Sequence, residues 1–301
     1  MAKPAWSWPR ACLTAVALIA AAYVLGVGAT LGWLRWHENA LVFETAVSHL
    51  RTDAHLPGYA QRLTIAGPRG EGLAALVFPA DPLHDSGYWV LHMHGNAESA
   101  FSAMQVHHCE QLRALGLNVL SFDYRGFGLS PGVASEEHIY EDAESAYQAL
   151  RRRGVPPTHI ILWGHSLGSA PAVELATREP AAALVVFGAF TSIPDVAAAT
   201  YPYLPVRWVA DIHMDSLQRI RNVHMPVIIV HSVHDTLVPF QEGARLYAAA
   251  NPPKRFLALE VPSTDRYGGH VDALYDHLEL LAPQLATLAH VRLGTEAEVS
   301  Q

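Results

Sequence analysis

Cysteine and charged residues are both scarce in this chain of 301 residues. The two cysteines are Cys12 and Cys109, and Cys12 lies in an apolar N-terminal stretch, so neither a disulfide framework nor a cysteine-based metal site is expected. Charged residues make up 16 % of the chain, against the usual ~25 % of a globular protein. Apolar residues make up 50 %, which predicts a sizeable buried core and excludes an intrinsically disordered chain.

Positive charge is in particularly short supply. The 20 lysines and arginines are outnumbered by 28 aspartates and glutamates, and the formal net charge is −8. We therefore do not expect a nucleic-acid partner, because the chain has no excess of basic side chains to replace the counterions of a phosphate backbone.

Metal-binding motifs are also lacking, although the chain has 18 histidines. His92 and His94 are not followed by the Asp-His pair of dinuclear hydrolases, and the adjacent His107 and His108 would face different directions on a helix. The HExxH sequence, which places two histidines on one helix face, does not occur. We therefore predict neither a metal ion nor another cofactor.

One long apolar run is present near the N-terminus. Residues 11–34 form an uncharged stretch of 24 residues, and about 20 suffice to cross the hydrocarbon core of a bilayer. This run predicts an uncleaved, single-pass membrane anchor. Tryptophans flank it on both sides, as expected at the two membrane interfaces, at Trp6, Trp8, Trp33 and Trp36.

Basic residues around the run indicate its orientation. Lys3 and Arg10 precede it, which favours a cytoplasmic N-terminus and places the rest of the chain outside the cytoplasm, although Arg35 and Arg51 weaken the asymmetry. The alternative is a signal peptide that is cleaved after Ala29, but the apolar region of such a peptide is usually only ~7 to 15 residues long.

The rest of the chain is predicted to form one folded domain, because no repeat or low-complexity stretch interrupts residues 60–290. Within it, short apolar runs typical of strands buried on both faces of a sheet alternate with helical patterns. This alternation predicts an α/β fold with a mostly parallel sheet and helices on both faces. The predicted division is a membrane anchor (1–36), a connecting segment (37–60), the folded domain (61–290) and a C-terminal tail (291–301).

The predicted strands matter because ligands of such sheets bind beyond the carboxyl ends of the strands. After an opening hairpin of residues 62–66 and 72–78, the strands are 88–92, 118–122, 160–163, 183–187, 227–230 and 256–261. The predicted helices are 100–115, 136–153, 167–177, 241–250 and 271–288, the last with a kink or break at Pro283.

Two serines lie in a Gly-x-Ser-x-Gly sequence. The first sequence is Gly164-His165-Ser166-Leu167-Gly168. Ser166 directly follows a predicted strand and opens a helix, which is the context of a nucleophile elbow. Ser130 follows a glycine-rich turn, and the next residue, Pro131, has no N–H to offer to an oxyanion. We therefore predict Ser166 as a nucleophile.

A serine nucleophile needs a base that takes its proton and a third group that orients the base. In the chain order serine, acid, histidine, the predicted acid is Asp235, which stands just past the apolar strand 227–230. Asp195, Asp211 and Asp215 are rivals, but none follows an apolar strand so directly.

The predicted base is His270. It lies on the loop after the strand 256–261, where Gly268 and Gly269 give the backbone the freedom to bring a side chain over the sheet. His277 lies in the predicted last helix and His290 just after it, where an exposed or packed histidine is expected. His231 and His234 lie beside Asp235 and are expected to line the site without catalysing.

The tetrahedral intermediate of acyl transfer carries an oxyanion, which two backbone N–H groups should meet. One is that of Leu167, the residue after the nucleophile. The other is expected from the loop of residues 94–97, in which Gly95 lets the backbone come close and Asn96 offers its N–H.

Taken together and in order, the motifs resemble the α/β-hydrolase superfamily, and more closely its single-pass membrane branch of monoacylglycerol and lysophospholipid lipases. The motifs are His94-Gly-Asn-Ala97, Phe122-Asp-Tyr-Arg-Gly-Phe-Gly128, Trp163-Gly-His-Ser-Leu-Gly168, Phe190-Thr-Ser-Ile193, His234-Asp-x-x-Val-Pro239 and Tyr267-Gly-x-His270. The resemblance implies a triad of Ser166, Asp235 and His270. Motif residues expected to support it are His94, Gly95, Gly164, His165 and Gly168.

The resemblance implies a serine hydrolase that cleaves carboxylic esters, with an acyl ester of the monoacyl-lipid type as its small-molecule partner. The aromatic stretch 201–208, within the short segment 190–226, is suited to receive an acyl chain or to pack a short helix over the core. Two alternatives stay open, since fold does not fix function. One is a serine aminopeptidase, which would need a carboxylate such as Asp195, Asp211 or Asp215 at its mouth, and the other is a non-catalytic membrane-anchored module.

Overall fold

An eight-stranded, mostly parallel sheet forms the centre of the protein. The computed structural model describes residues 8–260, 266–291 and 293. The sheet order in these residues is β1-β2-β4-β3-β5-β6-β7-β8. β1 and β2 pair antiparallel, as do β2 and β4, whereas the strands from β4 across to β8 run parallel. The strands are β1 (Gln61–Ala66), β2 (Gly72–Phe78), β3 (Trp89–Met93), β4 (Asn118–Phe122), β5 (Ile160–His165), β6 (Ala183–Phe187), β7 (Val227–Ser232) and β8 (Lys254–Leu259).

Helices cover both faces of the sheet. They are α1 (Trp8–Val42), α2 (Thr45–Ser48), α3 (Ala103–Ala114), α4 (Glu136–Arg152), α5 (Ser169–Ala176), α6 (Ile193–Thr200), α7 (Ser216–Arg219), α8 (Phe240–Ala249) and α9 (Leu278–Leu288). Side chains of α4, α5 and α8 form one apolar layer, and those of α3 and α9 form the other. Alternate residues of β5 enter the two layers, Leu162 the first and Trp163 the second. The predicted α/β fold is confirmed.

Most strands lie where the apolar runs predicted them, and β4 and β6 have the predicted bounds. The prediction of one helix over residues 271–288 was wrong, because a 3₁₀ turn at Tyr275–His277 precedes α9. The hydroxyl of buried Tyr275 contacts Trp163 Nε1 at 3.0 Å and His92 Nε2 at 2.9 Å, so tertiary bonds set the path of this stretch. Pro283 lies inside α9 and does not end it. Val261, the predicted end of the last strand, lies outside the described residues.

The first helix extends beyond the predicted anchor. α1 has 35 residues, about 52 Å of helix at 1.5 Å per residue, and by length and composition it is able to cross a membrane. Residues 12–26 are exposed, whereas Phe43 and Ser48, which follow the helix, are buried in the domain. Helix therefore continues into the predicted connecting segment 37–60, and contacts with the domain begin before residue 61.

Candidate active site

Ser166 stands on the sharp turn between β5 and α5. Its φ of 50° is unusual for a residue with a side chain, and it lies in a 3₁₀ turn, Ser166–Gly168, that leads into α5. The turn needs small flanking residues. A Cβ at Gly164 would lie 2.4 Å from the carbonyl oxygen of Gly168, and a Cβ at Gly168 would lie 2.1 Å from that of Met93.

The structure brings the serine, the histidine and the acid named from the sequence into hydrogen-bond contact. Ser166 Oγ lies 2.9 Å from His270 Nε2, and His270 Nδ1 lies 2.6 Å from Asp235 Oδ2. The three residues follow β5, β8 and β7, so they meet at the carboxyl edge of the sheet. This arrangement lets the hydroxyl donate to Nε2 while Nδ1–H donates to the carboxylate.

The Asp235 carboxylate is surrounded by donors. Oδ1 accepts hydrogen bonds from the N–H groups of Leu237 at 2.9 Å and Val238 at 2.8 Å, and Oδ2 also lies 3.2 Å from His231 Nε2. Burial acts to raise the pKa of Asp235, but hydrogen bonds to His231 and His270 outweigh burial and hold this pKa well below its usual range. The group is therefore ionised at neutral pH.

The rival acids and the second serine are engaged elsewhere. Asp195 binds Arg207 at 2.8 Å and Arg245 at 3.1 Å, Asp211 pairs with Arg35, and Asp215 caps α7 through the N–H of Gln218. Ser130 is buried, and its Oγ donates to the carbonyl oxygen of Asp123 at 2.7 Å and accepts from the N–H of Ala74 at 2.9 Å. His231 contacts Asp235, whereas the side chain of His234 is exposed, and His277 lies 3.1 Å from Glu279.

The two expected oxyanion donors face the same cavity as the serine. Asn96, Leu167 and Ser166 all line this cavity. Among the described residues, the backbone N–H of Asn96 donates no hydrogen bond to the backbone of a turn or loop. Leu167 lies in the first turn of the 3₁₀ helix Ser166–Gly168, where N–H groups have no partner within the helix. Gly95 packs closely against Ser166, since a Cβ there would lie 3.4 Å from Ser166 Cβ.

Two buried histidines support this edge of the sheet. His165 Nε2 lies 2.8 Å from the carbonyl oxygen of His270 and links this residue to the end of β5. Burial, with His270 nearby, lowers the pKa of His165 to about 3, so the ring is neutral. His94 Nδ1 lies 2.8 Å from the carbonyl oxygen of Gly95. His165 and His94 therefore help to position the backbone at His270 and Gly95.

The cavity beside Ser166 has a volume of about 570 Å³ and mostly apolar walls. One wall is the end of α1 and the other is the segment 190–226. The aromatic stretch 201–208 was expected to receive an acyl chain or to pack over the core, but its Tyr203 and Trp208 side chains are exposed. The apolar lining side chains include Trp33, Leu41 and Val42 from α1 and Phe190, Ile193, Val196, Tyr201 and Val206 from the segment.

The end of α1 is fastened to this segment. The Glu38 carboxylate accepts hydrogen bonds from the N–H groups of Asp211 and Ile212, each at 2.9 Å, and Arg35 donates to the carbonyl oxygen of Val209 at 2.9 Å. The sequence alone does not reveal this contribution of α1. The partners lie more than 170 positions apart, and no pattern along the chain links them.

Comparison with known proteins agrees with the fold and the motifs. Residues 87–214 match the serine aminopeptidase S33 family of hydrolases. The alpha/beta hydrolase domain-containing protein 17B of Xenopus tropicalis is 30 % identical over 210 residues, which cover 68 % of this chain and 70 % of that protein. The chain belongs to the α/β-hydrolase superfamily.

A second relative of this α/β-hydrolase carries a lipase name. The lysophosphatidylserine lipase ABHD12 of Danio rerio is 36 % identical over 183 residues, covering 55 % of this chain and 48 % of that protein. The chain thus spans about half of ABHD12, and it spans 62 % of two other curated relatives. Among solved structures, the esterase domain of a Rhodothermus marinus protein has the same fold, with a TM-score of 0.56, 23 % identity and coverage of 76 % of this chain and 99 % of that one.

Proposed function

We propose that this α/β-hydrolase is a membrane-anchored serine hydrolase that cleaves carboxylic esters of monoacyl lipids through a covalent acyl-enzyme. The observation that carries the proposal is the hydrogen-bonded chain Ser166–His270–Asp235, with distances of 2.9 and 2.6 Å, at an apolar cavity. No metal ion or other cofactor takes part in the proposed reaction.

Acylation begins when Ser166 Oγ attacks the ester carbonyl carbon and His270 Nε2 takes the hydroxyl proton. Asp235 keeps the proton on Nδ1 and stabilises the imidazolium that forms. The backbone N–H groups of Asn96 and Leu167 receive the oxyanion. His270 then protonates the departing alcohol, and the C–O bond of the substrate breaks, which leaves the acyl group on Ser166.

Deacylation repeats these steps with water. His270 Nε2 takes a proton from a water molecule, whose oxygen attacks the acyl carbon and forms a second oxyanion in the same pair of N–H groups. Collapse of this intermediate returns the proton to Ser166 Oγ and releases the fatty acid. The active site is then ready for another ester.

The shape of the cavity supports a substrate with one acyl chain. Its volume of about 570 Å³ lies within the range of roughly 300–1,000 Å³ that is usual for small-molecule sites. Its apolar walls suit a hydrocarbon chain, with the ester carbonyl at Ser166. The name of the relative ABHD12, lysophosphatidylserine lipase, agrees with this choice.

The three aspartates that the peptidase alternative would use to bind the free N-terminus of a peptide are engaged elsewhere. An aminopeptidase needs a carboxylate that binds the substrate's ammonium group. Asp195 already pairs with Arg207 and Arg245, and Asp211 pairs with Arg35. Asp215 is used as a helix cap. The three candidate carboxylates therefore have partners within the protein.

The placement of aromatic side chains supports a cavity that opens towards a membrane. Trp36 on α1 and Tyr203 and Trp208 on the segment 190–226 are between 86 and 91 % exposed. Aromatic rings of this kind are favoured where a protein meets the lipid headgroups. We place the apolar part of α1 in the membrane, the N-terminus in the cytoplasm and the hydrolase domain outside it.

A matched pair of serine variants tests the nucleophile and separates an enzyme from an inert module. Ser166→Ala should abolish both ester hydrolysis and labelling by a fluorophosphonate probe. Ser130→Ala should retain both and lose only some stability, about 1–3 kcal/mol, because buried groups lose a hydrogen-bond partner. Retained labelling of the Ser166→Ala protein, or an unlabelled wild-type protein, would overturn the assignment.

The substrate class needs its own measurement. Rates are compared for monoacylglycerols, lysophospholipids, short p-nitrophenyl esters and aminoacyl amides. We expect the highest kcat/KM with a monoacyl lipid and the lowest with the amides. The reverse order would favour the peptidase.

A further inference from the structure

The end of the anchor helix and the residues that follow it form hydrogen bonds with the loop on which Asn96 lies. We call residues 42–51 the post-anchor segment. The Asn96 side chain binds its backbone twice, because Oδ1 accepts from the N–H of Glu44 at 2.9 Å and Nδ2 donates to the carbonyl oxygen of Val42 at 2.8 Å. These two bonds use both ends of the amide and fix its orientation.

Further contacts hold the same segment in place. Arg51 forms an ion pair with Glu98, whose side chain is buried and which lies two residues beyond Asn96. The Ser48 hydroxyl accepts from the N–H of Gly128 at 3.0 Å, and His49 Nδ1 lies 2.6 Å from the carbonyl oxygen of Gly128. The post-anchor segment thus contacts the loop at Asn96 and Glu98 and a second loop at Gly128.

The backbone between the two contacts is strained. Ala97 has a φ of 58°, in the left-handed region that residues other than glycine seldom adopt. Such a conformation costs of order 1–3 kcal/mol and persists only where its surroundings enforce it. The contacts at Asn96 and Glu98 lie on either side of Ala97 and are placed to enforce it.

We propose that the Asn96 side chain is a positioning group that aims its own backbone N–H at the oxyanion by docking on Val42 and Glu44. The end of the anchor helix is then part of the catalytic apparatus and not a tether. This inference rests on the proposed function. An oxyanion donor is effective only within about 2.7–3.1 Å of the oxyanion, and a misplacement of 1 Å is able to cost about 10²-fold in rate.

The first test is Asn96→Ala in the full-length protein, which keeps the N–H and removes both side-chain bonds. On a soluble p-nitrophenyl ester, kcat should fall about 10- to 100-fold, with KM changed less than about threefold. Affinity for a boronic acid, which mimics the tetrahedral intermediate, should fall by a similar factor.

A matched control uses Asn251, whose amide donates to the carbonyl oxygens of Arg221 and Val223. Asn251 lies before the amino end of β8, whereas Ser166 follows the carboxyl end of β5, so the two residues lie at opposite ends of the parallel strands. Asn251→Ala removes the same kind of bonds and should leave kcat and boronic acid affinity within about twofold of wild type. An equal loss of kcat in both variants would indicate general destabilisation and overturn the proposal.

A second pair of variants reaches the same contact from the other side. Glu44→Pro removes the N–H that donates a hydrogen bond to Asn96 Oδ1. Glu44→Ala keeps this N–H and removes only the carboxylate. The proline variant should have the lower kcat. Its effect should also be absent in the Asn96→Ala background, because the bond is already lost there.

The outcomes separate the two proposals. A wild-type protein that is inert towards esters and the fluorophosphonate probe would overturn both the proposed function and this inference. An active wild-type protein with unchanged kcat in the Asn96→Ala variant, or additive effects of Glu44→Pro and Asn96→Ala, would overturn this inference alone.

Discussion

Asp235 receives more hydrogen bonds than orientation of one imidazole requires. Leu237 and Val238 donate to Oδ1, while His270 and His231 lie within 3.2 Å of Oδ2. The backbone bonds fix the carboxyl plane, so that Oδ2 points at the histidines. The Asp235 side chain is thus held in position by the backbone of the turn that follows it, and the carboxylate then orients His270.

Replacement of this carboxylate should separate folding from catalysis. In Asp235→Asn an amide oxygen is still able to accept from the N–H groups of Leu237 and Val238, so the fold should persist. The amide NH₂ would then face His270 Nδ1 and favour the tautomer that is unable to take the serine proton. We expect kcat to fall about 10⁴-fold.

Ester hydrolysis and circular dichroism measure the two effects. Asp215→Asn, a change at the cap of α7, serves as the control and should affect stability alone. A loss below about tenfold in the Asp235→Asn protein would place the acid elsewhere.

At the scale of elements, buried histidines join the strands to the helices behind them. His92 on β3 bonds Tyr275, and His108 on α3 stacks on the same ring at 3.6 Å. Burial lowers the pKa of both, and it lowers that of His165 at the end of β5 to about 3. These packed contacts therefore depend on neutral imidazoles.

Stability should consequently fall in mild acid. Below about pH 6.5 the unfolded chain protonates His92 and His165 while the folded protein does not, so each of these two is able to remove up to about 1.4 kcal/mol per pH unit. His108, whose pKa is also lowered by burial, adds to this loss. Burial raises the pKa of Asp142 to about 6 and also raises that of Glu98, which offsets part of the loss because the folded state then binds those protons more tightly. We expect a net loss of stability between pH 6.5 and 5, because His92 and His165 together outweigh Asp142.

Urea unfolding at pH 8, 6.5 and 5 measures this slope. In a His108→Gln variant the contribution of this histidine is gone, so stability should fall less steeply with decreasing pH. Equal stability at pH 8 and pH 5 in the wild-type protein would contradict the neutral, buried state of these rings.

Across the whole molecule, one helix links the proposed membrane anchor to the hydrolase domain. Residues 12–26 of α1 are exposed without interruption, whereas Trp33, Leu41 and Val42 near its end line the cavity. The same helix would thus hold the protein in the bilayer and form a wall of its active site. A lipid taken from the membrane would have a short path to Ser166.

Removal of only the apolar part tests this division. A chain that begins at Leu31 keeps Trp33 to Val42, so it should be found in the soluble fraction and hydrolyse a soluble short-chain ester within about threefold of the full-length rate. Towards a long-chain monoacylglycerol in vesicles it should be at least about tenfold slower, because the anchor raises the effective concentration at the membrane surface. An equal loss on both substrates would mean that the removed residues are part of the fold.

The sequence by itself determined the sheet, the order of its strands along the chain and the sharp turn at Ser166. These features depend on patterns between near neighbours. Apolar runs bury a strand such as β6 on both faces, and the glycines around Ser166 permit a sharp turn. Proline at position 131 likewise separates the two Gly-x-Ser-x-Gly sequences without reference to any distant residue.

The tertiary structure alone decided which distant groups meet. The contact of Asn96 with Val42, the fastening of Glu38 to Ile212 and the 3₁₀ turn at Tyr275 join segments that are 54 to 183 positions apart. Such contacts follow from packing in three dimensions, and local sequence patterns do not predict them. For this reason residues 38–44, which resemble part of a simple connection in the sequence, help to line the cavity beside Ser166 in the folded protein.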